Sequence, residues 1–98
     1  MTQSLLVRRR AELQAAKARD WYNEQLDGLG RQFIGELDAA IVKAYRHPLH
    51  YQVVHRDIRR VLLRRFPYAV FFVAESARVV ILAVLHQSED PEKWPQIG

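Results

Sequence analysis

The sequence predicts an α+β fold in which one β-sheet packs against an antiparallel pair of helices. Two stretches between about residues 11 and 46 carry apolar residues at helical spacing and are separated by a glycine-rich break. After residue 58 the composition changes to β-branched and aromatic residues, which favour strands. The predicted order is therefore an N-terminal strand, a helical hairpin and a three-stranded antiparallel meander, forming one sheet packed on the helices.

The N-terminal half is predicted to form the short strand and the helical hairpin. Residues 5–7 are the strand candidate, and residues 11–25 are rich in alanine and charge and lack glycine and proline, which favours a helix. Gly28-Leu29-Gly30 ends this pattern. A second helix is predicted over residues 31–46, and Pro48 stops it. Because the link is so short, the two helices must pack antiparallel.

The C-terminal half is predicted to form three strands, at about residues 58–65, 68–75 and 78–86. Pro67 cannot donate a hydrogen bond to a neighbouring strand, so it should lie at a strand end or bend. The segment 79–85 is apolar at nearly every position, which indicates that both of its faces are covered. We therefore expect it to be the central strand, with the helical hairpin on one side.

Length and composition limit the class of protein. A chain of 98 residues with 49% hydrophobic residues is expected to form a single domain over residues 1–98 and not a disordered segment. It has no cysteine, which excludes disulfides, thiol catalysis and cysteine zinc sites. No apolar run approaches the roughly 20 residues of a membrane span, and no signal peptide is recognisable. We expect a cytoplasmic protein.

A cluster of arginines is the strongest charge feature. Five lie within ten residues and, less Asp57, give this segment a net +4, equal to that of the whole chain. Such a concentration predicts a face that binds an anionic partner, either nucleic acid or an acidic protein. Because alternate residues of a strand share a face, arginine would lie on both faces, and we expect an edge strand. Charge there would also hinder unwanted strand pairing. The five are Arg56, Arg59, Arg60, Arg64 and Arg65.

Several short motifs occur in a fixed order along nearly the whole chain. They are Ala18-Arg19-Asp20-Trp21-Tyr22, Gly28-Leu29-Gly30 with Phe33, Arg59-Arg60, Leu63-Arg64-Arg65-Phe66-Pro67-Tyr68, Ile81-Leu82-Ala83-Val84-Leu85-His86, and Asp90-Pro91 with Trp94. In this order and spacing the sequence resembles the RelE/ParE toxin superfamily of bacterial type II toxin–antitoxin modules, and within it the ParE-like toxins.

The resemblance implies a growth-inhibiting toxin with a cognate antitoxin as its partner, in a module of the kind that stabilises plasmids, and no cofactor. Its target would be DNA gyrase or messenger RNA on the ribosome, and likeness of fold alone does not choose between them. Glu89 stands where many relatives carry a basic residue, and negative charge there would repel a scissile phosphate. We therefore expect gyrase binding. Gln14 also departs from relatives, which often carry an acid there.

The alternative is a metal-independent messenger RNA endonuclease. Such cleavage requires a deprotonated 2′-hydroxyl, stabilisation of the phosphate charge and protonation of the leaving oxygen. Arg65 could stabilise the charge, while His86 and Tyr68 could move protons. His86 could equally be a hydrogen-bonding residue at the sheet margin. A third possibility is a non-toxic relative that binds only an antitoxin. Target or antitoxin binding is expected to involve Arg56, Arg59, Arg60, Arg64 and Trp94.

The remaining histidines and aromatic residues have simpler interpretations. His47, His50 and His55 follow the second helix and form a poor ligand set, so surface histidines are predicted and no metal site. Trp21 and Tyr22 are predicted to be core residues of an amphipathic helix and not a stacking platform for bases. Trp94 is expected to anchor the C-terminal tail on the domain.

Overall fold

The computed structural model describes residues 4–95, which form a five-stranded sheet with two helices on one face. This confirms the predicted α+β fold, including the N-terminal strand, the helical hairpin and the antiparallel meander. Short 3-10 turns follow the second helix and the last strand. The main elements are β1 (Ser4–Val7), α1 (Arg9–Gln25), α2 (Leu29–Arg46), β2 (Val53–His55), β3 (Ile58–Leu62), β4 (Tyr68–Ala74) and β5 (Arg78–His86).

The strand order across the sheet is β1-β5-β4-β3-β2. β1 runs parallel to β5, and the other neighbouring pairs are antiparallel. The predicted edge position of the arginine strand β3 is wrong, because the unpredicted strand β2 pairs with its outer side. With three residues, β2 is too short to give an alternating pattern in the sequence. The prediction that β3 reaches residue 65 is also wrong, since it ends at Leu62 and leaves Arg64 and Arg65 in the following loop.

β5 is an interior strand, covered on both faces as its apolar sequence predicts, but β4 and not β5 is the middle strand of the sheet. The pairing of β4 with β5 shifts register between Phe71 and Phe72, whose partners are Ala83 and Ile81. This irregularity shifts by one residue the alternation of the β5 side chains between the two faces of the sheet. Just beyond it, the Val84 N–H donates a hydrogen bond of 2.8 Å to the side-chain oxygen of Gln14 on α1.

The tight packing of the helical hairpin depends on glycine. Gly28 has a φ of 86°, in the left-handed region that glycine adopts without strain. The Gly30 N–H donates to Asn23 Oδ1 at 2.8 Å, and a Cβ at Gly30 would lie only 2.5 Å from the Arg19 carbonyl oxygen. α1 and α2 therefore approach each other at a point where any larger residue would collide with backbone.

Apolar residues are buried on both faces of the sheet. The layer between the helices and the sheet contains Phe33 of α2 and Phe72 of β4, each fully buried. The opposite face contains Phe71, which Trp94 covers with its ring centre 5.3 Å away. Trp94 thus holds the C-terminal segment against the sheet, as predicted. No helix within residues 4–95 has the length and apolar character that crossing a membrane would need.

A candidate interaction cleft at the aromatic end of the sheet

A cleft of about 590 Å³ opens between α1 and the ends of two strands. This is within the range of volumes that ligand and peptide side-chain sites occupy. We call it the aromatic cleft. Its lining residues come from α1, from the start of β4, from the end of β5 and from the tail: Gln14, Lys17, Ala18, Trp21, Tyr22, Pro67, Tyr68, Val84, Leu85, His86 and Glu89.

A cluster of packed aromatic rings lies behind this cleft, and two of its members, Tyr22 and Tyr68, line it. Tyr22, Phe33, Phe66 and Tyr68 lie with ring centres 4.9 to 6.1 Å apart, mostly edge to face, which is the favourable geometry for aromatic pairs. His86 continues the series, 5.3 Å from Tyr68. Because Phe33 and Phe66 are buried, the aromatic cleft is a rigid extension of the core.

The two aromatic residues of α1 have different surroundings. Tyr22 is 9% exposed and belongs to the core, as predicted. Trp21 is 54% exposed, so the prediction of a core position is wrong for it. The indole packs edge-on against Tyr22 at 5.1 Å and otherwise faces the mouth of the cleft. Neighbouring helix positions differ by about 100°, which is why one residue faces the sheet and the next does not.

His86 has a fixed hydrogen-bonding role. The backbone N–H of Ser88 donates to His86 Nδ1 at 3.1 Å, and the Ser88 hydroxyl lies 2.7 Å from the same nitrogen. Since Nδ1 accepts a hydrogen bond from a backbone donor, the neutral ring must carry its proton on Nε2. The free side of His86 is therefore a hydrogen-bond donor. Turning it into a general base would require breaking the contact with Ser88.

Tyr68 is also a donor at neutral pH. Partial burial raises the pKa of its phenol above the ordinary value of 10.0, and the nearby carboxylate of Glu89 raises it further. Burial and the proximity of Tyr68 likewise raise the pKa of Tyr22. Both phenols therefore stay protonated at the pH of a cell, and neither supplies a base.

Arg65, the third predicted catalytic residue, is separate from His86 and Tyr68. It lies outside the lining of the aromatic cleft and is bound to Glu36 of α2. Its backbone N–H and its Nε donate to the two Glu36 oxygens at 2.9 and 3.2 Å. Burial alone would raise the pKa of Glu36, but the hydrogen bonds from the backbone and side chain of Arg65 and the backbone of Arg64 outweigh this, and the pKa is lowered.

The other predicted binding residues are dispersed. Arg59 donates to the Tyr51 carbonyl at 2.7 Å, and the guanidinium of Arg60 lies 5.4 Å from the centre of the Trp94 ring on the opposite sheet face. Arg56 and Arg64 are exposed and form no ion pair within residues 4–95. The arginines therefore do not form one continuous face.

Comparison with known proteins assigns the fold. A family model described as ParE toxin of type II toxin–antitoxin system, parDE, matches residues 5–91. The chain belongs to this family. A solved structure titled "Chromosomal ParDE TA system from P. aeruginosa" is similar at 15% sequence identity, with a TM-score of 0.78 over 87% of this chain and 96% of that chain. No curated protein sequence matches the chain significantly. The resemblance to the RelE/ParE superfamily is confirmed, and the chain is a toxin-family member whose relatives work with an antitoxin.

Three residues of this region were not predicted as part of a site: Lys17 and Trp21 in the cleft and Glu36 beneath Arg65. Gln14, Lys17, Ala18 and Trp21 follow steps of three, one and three, so helical spacing could have placed them on one side of α1. Glu36 gave no such signal, because its partner is 29 positions away along the chain.

Proposed function

We propose that the chain is a growth-inhibiting toxin that acts by binding DNA gyrase in the cytoplasm, as one domain over residues 1–98, and that a cognate antitoxin neutralises it. Membership of the ParE toxin family supports the toxin role and the antitoxin partner. The choice of binding over catalysis rests on the chemistry of the aromatic cleft.

The observation that carries this proposal is the poor fit of the cleft to a scissile phosphate. Of the residues described by the structure, none that line the aromatic cleft is an arginine, and Arg65 is bound to Glu36. Glu89 places a carboxylate at the cleft, where it pairs with Lys93 at 3.8 Å, and Lys17 also lines the cleft. RNA cleavage requires a base at the 2′-hydroxyl and a cation at the phosphate. His86 and Tyr68 both donate, so neither supplies the base, and among the described lining residues only Lys17, a single ammonium, could face the phosphate.

The same cleft suits recognition of a protein. Trp21 presents about half of its surface beside the rigid ring cluster, and tryptophan and tyrosine anchors dominate the energy of many protein interfaces. His86 Nε2, the Tyr68 hydroxyl and the Lys17 ammonium can each donate to an acceptor on a partner. An antitoxin segment that folds on binding could mask this surface, and a gyrase surface could occupy it when the antitoxin is absent.

A supercoiling assay with purified gyrase tests the proposal. Excess protein should inhibit supercoiling, and Trp21→Ala should weaken inhibition by roughly tenfold or more, as loss of an interface anchor does. Leu13→Ala is the matched control, because Leu13 is 57% exposed on α1 but does not line the cleft. Supercoiling that continues unchanged in the presence of excess wild-type protein would refute the proposal.

A ribosome-dependent messenger RNA endonuclease is the second candidate, and it is favoured by the contact between Tyr68 and His86 within one cleft. Mapping RNA 5′-ends after expression distinguishes the two. Cuts at fixed codon positions that disappear in His86→Ala or Arg65→Ala would establish the endonuclease. Normal growth during expression without an antitoxin would instead indicate a non-toxic relative.

A further inference from the structure

The far end of the sheet from the aromatic cleft carries a cluster of positive charge. α2 begins near the cleft, where Phe33 packs against Tyr68, and ends beside the turn that carries Tyr51, which packs against Phe72. We call this region the cationic end. Its basic side chains come from the last turn of α2, the 3-10 turn and the β2–β3 hairpin: Lys43, Arg46, His47, His50, His55, Arg56 and Arg59.

The charges of the cationic end are not neutralised within residues 4–95. Lys43, Arg46 and Arg56 are exposed and form no ion pair there, unlike Arg19, Arg65, Arg78 and Lys93, which pair with Asp20, Glu36, Glu75 and Glu89. No acidic residue occurs between positions 39 and 56. Asp57 in the hairpin turn is the nearest carboxylate along the chain. Unpaired like charges close together create a potential that an anionic partner relieves.

Apolar surface lies among these charges. Leu49 is 71% exposed and Val53 is 42% exposed, although both are large apolar side chains. Together with Asp57, Arg59, Val73, Ala74 and Glu75 they line a cleft of about 210 Å³. Glu75 is already paired with Arg78. Phosphate backbones gain nothing from contact with leucine and valine, whereas a polypeptide can bury an apolar side chain there.

The backbone offers a further contact. β2 is the edge of the sheet, and within the described chain its outer side has no strand neighbour. Extended peptides bind such edges through main-chain hydrogen bonds, with side chains entering adjacent pockets. β2 is only three residues long, so this contact supplements the charges and does not replace them.

We propose that the cationic end binds an acidic, extended polypeptide segment that carries an apolar side chain. The carboxylates of the segment lie beside Arg46 and Arg56, and its apolar side chain covers Leu49 and Val53. Charge complementarity, the exposed apolar pair and the free strand edge all favour this partner over nucleic acid. The site shares no residue with the aromatic cleft, so it stands whether or not gyrase is the target.

Fluorescence anisotropy with a labelled short peptide of alternating glutamate and leucine tests this directly. The peptide should bind the wild-type protein, more weakly as salt is raised, because exposed charges are screened. Arg46→Gln with Arg56→Gln should weaken binding roughly fivefold to tenfold, the combined effect of two exposed ion pairs at low salt. Leu49→Ser should also weaken it, by removing the apolar contact.

Matched controls separate this site from general electrostatic attraction. Arg9→Gln with Arg31→Gln removes the same charge from exposed positions on the helices and should leave the affinity unchanged. The glutamine version of the peptide should not bind. NMR spectra of the protein with the peptide or with a short DNA duplex show where each one binds. Absence of binding by the acidic peptide would overturn the proposal, and so would peptide-induced shifts confined to the aromatic cleft. Equal or tighter binding of the DNA duplex, with shifts of the same protein signals as the peptide causes, would also overturn it.

Discussion

The two ends of the sheet use the same kinds of residue in different ways. At the end that holds the aromatic cleft, Arg65 of the neighbouring loop is bound to Glu36, and the aromatic rings pack on one another down to the buried Phe33. At the cationic end, Arg46 and Arg56 are unpaired within the described residues, and Leu49 lies largely in solvent. Packed rings and a paired arginine therefore mark the end with the aromatic cleft, whereas unpaired arginines mark the cationic end.

This difference shows that residue type does not decide the role of an arginine in this protein. Arg65 comes from the same dense cluster as Arg56, yet the first connects a loop to α2 and the second extends from a hairpin turn. Stability should therefore depend strongly on the aromatic end and weakly on the cationic end, while charge-dependent binding should show the reverse.

The largest expected effect on stability comes from the buried rings. Phe33→Ala should reduce the free energy of unfolding by about 3–5 kcal/mol, because it opens a cavity beneath Tyr22, Phe66 and Tyr68. Leu49→Ala at the other end should change it by less than about 0.5 kcal/mol, because the side chain is mostly exposed. Urea denaturation measures both. Similar losses for the two variants would show that the ends do not differ as described.

Gly30→Ala should have the next largest effect. A Cβ at this position would lie 2.5 Å from the Arg19 carbonyl oxygen, so the helices must separate, at a cost of roughly 1–3 kcal/mol. Gly35→Ala is the control, since a Cβ there has no atom within 4 Å and alanine favours the helix. Thermal denaturation should show a lower Tm for Gly30→Ala only. An unchanged Tm would mean that the hairpin is looser than the structure indicates.

Glu36→Gln should have a smaller effect that depends on pH. Folding lowers the pKa of Glu36 below its ordinary value of 4.5, so its ionised form stabilises the fold above that pH, and the contribution is lost as the pH falls through the folded value. At neutral pH the variant should lose roughly 1 kcal/mol, a modest value because Arg65 is largely exposed. Stability measured from neutral to acidic pH should show wild type and variant converging. A constant difference at all pH values would contradict this account.

The smallest effect is expected at Ser88. Ser88→Ala removes the hydroxyl but keeps the backbone N–H that donates to His86, so stability should change by under about 0.5 kcal/mol. In both proteins the ring nitrogen shifts of neutral His86, measured by NMR, should place the proton on Nε2. A proton on Nδ1 in the wild-type protein would reopen the possibility that Nε2 acts as a base.

Local patterns in the sequence were enough to predict most of the elements. Helical spacing placed α1 and α2, and the apolar run 79–85 identified an interior strand. β2 was missed because three residues cannot establish a period of two, and that omission turned β3 into a predicted edge. Trp21 was assigned to the core because it lies next to the apolar stripe of α1. Whether a residue at such a position is buried depends on how the helix is oriented relative to the sheet, which the sequence does not show.

The sequence by itself determined the fold class, the family and the uneven distribution of positive charge, because these depend on periodicity, motif order and composition. Only the tertiary structure decided which charges are neutralised and which side chains share a surface. Pairs such as Arg65 with Glu36 join residues far apart in the chain, and the packing of α2 over the β3–β4 loop brings them together. The contact between Tyr68 and His86 likewise arises from the antiparallel register of β4 and β5, which sets them opposite each other.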